Sequence, residues 1–255
     1  MPVEIVTVPC RRDNYAYLIR DEGSGEVALV DAPEEASIVE ALEARGWGLD
    51  QIWITHHHAD HTEAVEALRE RYGAEVVGHV KDTGRLPTLD QEVSEGEHVR
   101  LGETWATVVD VSGHTIGHIA FVLEDEHAAF TADSLMALGC GRVFEGTHAM
   151  MWESLSKLAA LPDDTRIYSG HNYGQANGRF ALSIEPDNAA LRARIARIEE
   201  RDAAGEPIVP STVAEERETN PFLRAADPDV KAAVGLPGGD DAAVFAELRR
   251  RKDMF

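Results

Sequence analysis

Residues 55–61, Thr-His-His-His-Ala-Asp-His, directly follow the apolar run Gln51–Ile54 and have the highest density of metal-ligating side-chain types in the chain. Imidazole and carboxylate groups are ligands for borderline transition metals such as Zn, Fe and Mn. His56 and His58 stand two residues apart in an extended segment, so they point to the same side, and His57 between them points away. The loop therefore predicts a metal site.

The same loop supplies a second pair of ligand types. Asp60 and His61 fall where the chain turns into the next helix, so they are expected to face a second, neighbouring position. Four ligand-type side chains within six residues exceed what one metal ion readily takes from a single loop. The sequence therefore predicts two metal ions near this loop.

Three further candidates lie just past the ends of apolar strands, where α/β folds collect functional groups. They are His114 after Thr104–Val111, Asp133 after Ala128–Thr131 and His171 after Arg166–Tyr168. Together with the loop they give five histidines and two aspartates, a set that suits two metal ions sharing a carboxylate. Structural or supporting roles are expected for the other six histidines: His57, His79, His98, His118, His127 and His148.

Composition restricts the class of protein. The 255-residue chain has 24 Lys+Arg against 46 Asp+Glu, a net charge of −22 that repels the phosphates of nucleic acids. No stretch approaches the roughly 18 apolar residues of a membrane helix, and the first residues do not resemble a signal peptide. Two cysteines, Cys10 and Cys140, suit a reducing compartment. We expect a cytoplasmic protein with no membrane, nucleic-acid or obligate protein partner.

The acidic excess has two interpretations. Alanine is frequent, and the basic residues are four lysines and 20 arginines, which a GC-rich genome would favour. Alternatively, the protein is adapted to high salt, which screens the repulsion among surface carboxylates.

The order of apolar runs predicts an α/β domain over residues 1–174 and a helical domain over residues 175–255. Strands are predicted at Val3–Val8, Tyr15–Arg20, Val27–Asp31, Gln51–Thr55, Glu75–Gly78, Thr104–Val111, Ile119–Leu123, Ala128–Thr131 and Arg166–Tyr168. Helices are predicted at Glu34–Arg45, Glu63–Tyr72, Ala189–Ala204 and Asp240–Lys252.

The pattern H-x-H-x-D-H, followed by a single His, an Asp and a last His, resembles the metallo-β-lactamase superfamily. The resemblance implies an α/β fold, an αββα sandwich with the metals at one edge. It implies a first metal site of His56, His58 and His114, a second of Asp60, His61 and His171, and Asp133 as the bridging carboxylate.

Over essentially its whole length the chain is similar to the glyoxalase II family, the hydroxyacylglutathione hydrolases. The segments that carry the similarity are residues 14–18, 139–142, 144–146, 170–173, 220–224 and 249–253. The similarity implies hydrolysis of the thioester of S-(2-hydroxyacyl)glutathione, as in conversion of S-D-lactoylglutathione to D-lactate and glutathione during methylglyoxal detoxification.

The family resemblance also assigns substrate-binding residues. Tyr173, Arg249 and Lys252 match the positions that bind the glutathione part, whereas Arg142 stands where the family usually has Lys and Phe144 where it has Tyr. Independently, a carrier with free carboxylates needs a local positive cluster on a protein of charge −22, and residues 249–252 are four basic residues in a row. Favourable charge at a helix C-terminus is the other interpretation of that run.

The implied mechanism uses two divalent metal ions, Zn or alternatively Fe or Mn, which bridge a hydroxide that attacks the thioester carbonyl. The implied catalytic residues are His56, His58, Asp60 and Asp133, with Asp60 accepting a hydrogen bond from the hydroxide. A thiolate of pKa about 8.5 leaves without a strong general acid. Neither Cys10 nor Cys140 has a base nearby in sequence, so neither is expected to be a nucleophile.

Three other functions fit parts of the pattern. A glutathione persulfide dioxygenase would bind one iron and leave the second site unused. Another hydrolase of the superfamily would act on lactones or RNA, and an inactive member would serve only as a binding module. The metal content separates the first alternative, since one iron with O₂ uptake supports oxidation and two metals support hydrolysis.

Overall fold

The computed structural model describes residues 3–255, which form fourteen strands and nine α-helices. The strands are β1 Val3–Cys10, β2 Asn14–Asp21, β3 Val27–Val30, β4 Gln51–Trp53, β5 Glu75–His79, β6 Gln91–Val93, β7 His98–Leu101, β8 Thr104–Asp110, β9 Ile119–Leu123, β10 Ala128–Ala132, β11 Leu135–Met136, β12 Gly139–Cys140, β13 Arg166–Ser169 and β14 Ser211–Thr212. The helices are α1 Glu35–Glu43, α2 Ala59–Thr62, α3 Val65–Tyr72, α4 His148–Ala159, α5 Gly174–Ile184, α6 Ala189–Ala203, α7 Val213–Thr219, α8 Pro228–Ala233 and α9 Asp241–Asp253. No helix within residues 3–255 has the length and apolar character needed to span a membrane.

The chain divides into two compact units. The first consists of the described residues up to Asp110 together with Gly117–Ala132, and it contains β1–β10 and α1–α3. The second consists of Val111–Ile116 and Asp133–Phe255, and it contains β11–β14 and α4–α9.

The first unit is built on a six-stranded sheet in the order β1-β2-β3-β4-β5-β6. Strands β1 to β3 pair antiparallel, whereas β3 to β6 pair in parallel. Parallel strands end at the same edge, so the residues that follow β3 and β4 meet there. The backbone N–H of Asp31 donates to the Trp53 carbonyl, 3.0 Å away, and so joins the two strand ends.

A second layer of the first unit is the antiparallel run β7-β8-β9-β10. Aromatic rings join it to the first sheet: Trp53 lies 5.2 Å from Phe121, and Tyr17 lies 5.4 Å from Phe130. All four side chains are buried, so the two sheets enclose an apolar core. Helices α1 and α3 cover the outer face of the first sheet through buried residues such as Ile38, Leu42 and Leu68.

The second unit is mainly helical. Its core contains the rings of Phe180, Phe222 and Phe245, with centroids of successive pairs 5.7 and 5.9 Å apart. The two long predicted helices begin where their capping residues stand. The Asn188 side chain accepts from the N–H of Leu191 at the start of α6, and Asp240 caps α9 in the same way.

The structure contains four helices that the sequence analysis did not predict, α4, α5, α7 and α8, and several predicted bounds differ by one or two residues. Two further local differences have identifiable causes. The helix predicted from Glu63 begins at Val65, because the Glu63 N–H closes α2 on the Ala59 carbonyl and the Ala64 N–H bonds to Ala32. Cys140 lies in β12, which forms a two-stranded hairpin with β11, and no strand was predicted there.

Candidate metal centre

The loop after β4 turns two imidazoles toward one point. The Thr55 hydroxyl, buried and hydrogen-bonded to Asp31, lies 3.0 Å from Nδ1 of His56. On the other edge of that ring, Nε2 lies 3.1 Å from Nδ1 of His58. Two nitrogens bound at about 2.0–2.1 Å to one tetrahedral ion lie roughly this far apart, so the pair suits a shared metal.

Asp60 and His61 lie in α2, the single helical turn that follows the loop. His61 is buried, and its Nδ1 lies 2.7 Å from Oδ2 of Asp31. Because a carboxylate only accepts, Nδ1 carries the proton and Nε2, 3.8 Å from Oδ2 of Asp60, keeps its lone pair for a metal ion. Asn14 donates to both the backbone and the side-chain oxygen of Asp60, at 3.0 and 3.2 Å.

Asp31 is a candidate site residue that the sequence analysis did not name. It is buried at the end of β3 with a φ of +58°, and its ligand oxygen lies within 4.8 Å of ligand nitrogens of His56 and His61. Both of its oxygens are hydrogen-bonded, to Thr55 and to His61, an arrangement typical of carboxylates that stand behind metal-bound histidines. The sequence signal that could have identified Asp31 is an acidic residue at the end of an apolar strand. The same signal led to the prediction of Asp133.

In the second unit, Asp133 lies between two imidazoles. Its Oδ2 is 3.5 Å from Nε2 of His114 and 3.4 Å from Nε2 of His171, and all three side chains are buried. Nδ1 of His114 donates to the Arg142 carbonyl, 2.7 Å away, so Nε2 is the ring atom that could bind a metal ion. A carboxylate between two imidazole lone pairs suits a bridging ligand, so this donor set also fits metal binding.

A cavity of about 470 Å³ in the second unit adjoins that cluster. Its walls include His114 and Asp133 together with all five predicted substrate-binding residues: Arg142, Phe144, Tyr173, Arg249 and Lys252. The Tyr173 ring stacks on His171 with centroids 4.7 Å apart, and the rings of Phe144 and His114 pack in an edge-type arrangement with centroids 5.3 Å apart. Phe144 is 62 % exposed, so the cavity has an apolar rim beside the metal ligands.

The three cations of the cavity differ in how far they are already paired. The Arg142 side chain is 61 % exposed, with Nε 3.6 Å from Oδ1 of Asp253. The Arg249 side chain is only 3 % exposed. Lys252 donates to the Ala176 carbonyl, and burial together with the neighbouring Arg249 charge lowers its pKa to about 8.

The remaining candidates have other partners. Burial raises the pKa of the Cys10 thiol to about 12 and that of Cys140 to about 11, so both stay protonated near neutral pH and are unsuited to nucleophilic attack. Nδ1 of His57 lies 3.1 Å from Asp82, away from the metal-ligand pair, and His118 stacks on His56.

Two family models cover the chain from residue 11 to its last residue. Residues 11–171 match the metallo-beta-lactamase superfamily, and residues 172–255 match the hydroxyacylglutathione hydrolase C-terminus. Relatives named hydroxyacylglutathione hydrolase from Ruegeria pomeroyi and Roseobacter denitrificans are 61 % and 53 % identical to it, with 100 % of each chain aligned.

Solved structures agree on the fold. ETHE1 from Myxococcus xanthus superposes with a TM-score of 0.68 at 26 % identity, covering 98 % of this chain and 90 % of that one. The BLEG-1 B3 metallo-beta-lactamase gives a TM-score of 0.66 at 22 % identity, covering 86 % of this chain and 99 % of the other.

Proposed function

The chain belongs to the hydroxyacylglutathione hydrolases of the metallo-β-lactamase superfamily, and from this premise we propose that it hydrolyses the thioester of S-(2-hydroxyacyl)glutathione. The observation that carries the proposal is the cavity of the second unit, in which five predicted carrier-binding residues adjoin two predicted metal ligands. Residues 1–174 would form the catalytic domain and residues 175–255 the glutathione-binding domain. Two free, buried cysteines support the cytoplasm as its location.

The proposed metal ligands are those of the two clusters. The first ion would take His56, His58 and His114, the second Asp60, His61 and His171, with Asp133 shared. Zinc suits this nitrogen and oxygen donor set, and Fe and Mn are alternatives. Bound divalent ions there supply Lewis acidity toward the thioester carbonyl and lower the pKa of water.

The side chains of this protein hold and orient the reactants. Asp60, fixed by Asn14, is available to accept a hydrogen bond from the attacking water. The new bond forms between the water oxygen and the acyl carbon, the C–S bond breaks, and the water gives up its two protons to solvent, leaving a carboxylate. The sulfur leaves as a thiolate of pKa about 8.5, which takes up one proton from solvent. No protein acid is needed for that departure.

The cavity supplies the recognition. Glutathione carries two carboxylates, and on a protein of charge −22 they require local cations. Arg142 and Lys252 are the accessible ones, and the Tyr173 ring lies beside His171. Phe144 offers no hydroxyl at the rim, so its role is to pack against the acyl chain or the carrier.

The test is hydrolysis of S-D-lactoylglutathione by purified protein whose metals have been counted by elemental analysis. We expect turnover with two metal ions per chain, and a raised KM in Lys252→Met with kcat unchanged. Fully metallated protein without turnover would contradict the proposal. One iron per chain with O₂ uptake on glutathione persulfide would show an oxygenase instead.

A further inference from the structure

The guanidinium of Arg249 forms hydrogen bonds within the protein. Nε and Nη2 both donate to Oδ1 of Asp253, at 3.1 and 2.9 Å, and Nη1 donates to the Cys140 carbonyl at 2.9 Å. The side chain is 3 % exposed and its charged end lies 5.1 Å from the centre of the Phe222 ring. A buried arginine needs such a counter-ion, and here Asp253 supplies it.

The Cys140 carbonyl, which accepts from Arg249, lies close in the chain to the segment that contacts the proposed metal ligand His114. Two residues beyond Cys140, the Arg142 carbonyl accepts the hydrogen bond from Nδ1 of His114, at 2.7 Å. Between them, Gly141 passes so close that an added Cβ would lie 2.0 Å from the Asp133 carbonyl oxygen and 3.0 Å from Nδ1 of His114. The segment from Cys140 to Arg142 therefore has little freedom to shift without moving the His114 ring.

We propose that Arg249 is a positioning residue for the metal ligand His114. Asp253 fixes the Arg249 guanidinium, which in turn hydrogen-bonds the Cys140 carbonyl. This contact fixes the segment from Cys140 to Arg142. The Arg142 carbonyl at the end of that segment accepts from Nδ1 of His114 and so sets the tautomer and orientation of the ring. The positioning role rests on the proposed function in one respect: it requires the proposed metal site, but it does not require the proposed substrate. Contact with the carrier falls mainly to Arg142 and Lys252.

The first test compares metal binding, not turnover. In metal-free protein titrated with Co²⁺, we expect Arg249→Met to weaken the binding of one of the two ions by up to about tenfold and to change its visible absorption spectrum. The direct hydrogen-bond partner of a ligand is worth about 10–100-fold in affinity, and Arg249 acts one contact farther out. Arg249→Lys, which keeps the charge and one donor, should lie between this variant and the wild type.

Arg142→Met is the matched control. It removes an exposed guanidinium from the same cavity but keeps the backbone carbonyl that His114 uses. We expect it to raise the KM for S-D-lactoylglutathione several-fold with wild-type Co²⁺ affinity and spectrum. Arg249→Met should instead lower kcat.

The outcomes separate the two proposals. If Arg249→Met raises KM while Co²⁺ affinity and spectrum stay as in the wild type, Arg249 only binds the carrier and the positioning role is wrong, although thioester hydrolysis stands. If no variant turns over the thioester, the proposed substrate fails, and the Co²⁺ titrations still decide the positioning role. Should Arg249→Met not fold by circular dichroism, Arg249→Lys and Asp253→Asn decide, since wild-type Co²⁺ affinity in both would overturn it.

Discussion

At the level of single residues, the group that faces Nδ1 decides which histidines are ready to bind a metal. The Arg142 carbonyl and the Asp31 carboxylate can only accept, so Nδ1 of His114 and of His61 donates to them and Nε2 is the ring atom directed toward the candidate metal positions. The sequence predicted both histidines as ligands from their spacing. It did not reveal these acceptors, because they lie 28 and 30 residues away along the chain.

We expect Asp31→Asn to weaken binding of the metal ion that His61 holds by about 10–100-fold. The amide keeps the shape of the carboxylate but is a weaker acceptor for the His61 N–H and loses the charge that makes the ring more basic. Competition with a chromophoric chelator measures the affinity. Asp82→Asn is the control, since Asp82 is also buried and faces Nδ1 of a histidine, His57, outside the predicted ligand set. Equal losses in the two variants would contradict a specific role for Asp31.

The lowered pKa of Lys252 predicts that binding of the proposed carrier depends on pH. Because burial and the Arg249 charge lower its pKa from 10.5 to about 8, the ammonium is charged at pH 7 and mostly neutral at pH 9. We expect the KM for S-D-lactoylglutathione to rise several-fold over that interval, measured against a blank for spontaneous hydrolysis. Lys252→Arg keeps its charge throughout, so its KM should not show this rise. Parallel KM profiles of wild type and Lys252→Arg would show that another group titrates.

At the level of elements, the prediction succeeded for β9 and α6, and it missed the helices α4, α5, α7 and α8 as well as the shortest strands. Strand β9 was predicted to the residue and α6 to within one residue, since an apolar stripe and the Asn188 cap lie in the local sequence. The hairpin β11–β12 was missed because each strand has two residues and no period to detect. It is held instead by distant partners, among them Asn220, whose amide donates to the Gly139 carbonyl at 2.9 Å.

Glu216 in α7 ties this hairpin to the helices. It is fully buried, pairs with Arg194 of α6, accepts from Ser211 and Asn220, and accepts the backbone N–H of Leu138 at 3.1 Å. We expect Glu216→Ala to cost about 3–5 kcal/mol of unfolding free energy, because it leaves the buried Arg194 charge without a counter-ion. Urea unfolding followed by circular dichroism measures it.

The neighbouring residue provides the comparison for that measurement. Glu215 pairs with Arg197 on the surface, where both side chains are well exposed. Such a pair is worth about 0–1 kcal/mol, so Glu215→Ala should unfold near the wild-type midpoint. A Glu216→Ala midpoint as close to the wild type would mean that the buried network adds little to the stability of the second unit.

At the level of the whole molecule, the sequence predicted the family and the fold class better than it predicted the contacts of the residues that line the cavity. Local patterns were enough to predict the family, which the two family models confirm. The metal-ligand candidates from the same patterns stay predictions. The burial of Arg249 could not be predicted from a run of four basic residues. It depends on a carbonyl 109 residues earlier in the chain, which only the tertiary structure brings into contact.

The net charge of −22 leads to a prediction about salt. Raising KCl from 0.1 to 1 M shortens the Debye length from about 10 to about 3 Å and so screens the repulsion among the excess carboxylates. Surface ion pairs weaken as well, but each is worth little, so the repulsion is expected to dominate. A net gain of about 2 kcal/mol would raise Tm by roughly 4–8 °C at this chain length. Calorimetry in KCl measures it, with sorbitol at equal osmolality as the uncharged control. A Tm that is constant between 0.1 and 1 M KCl would contradict adaptation to high salt and favour codon composition as the origin of the acidic excess.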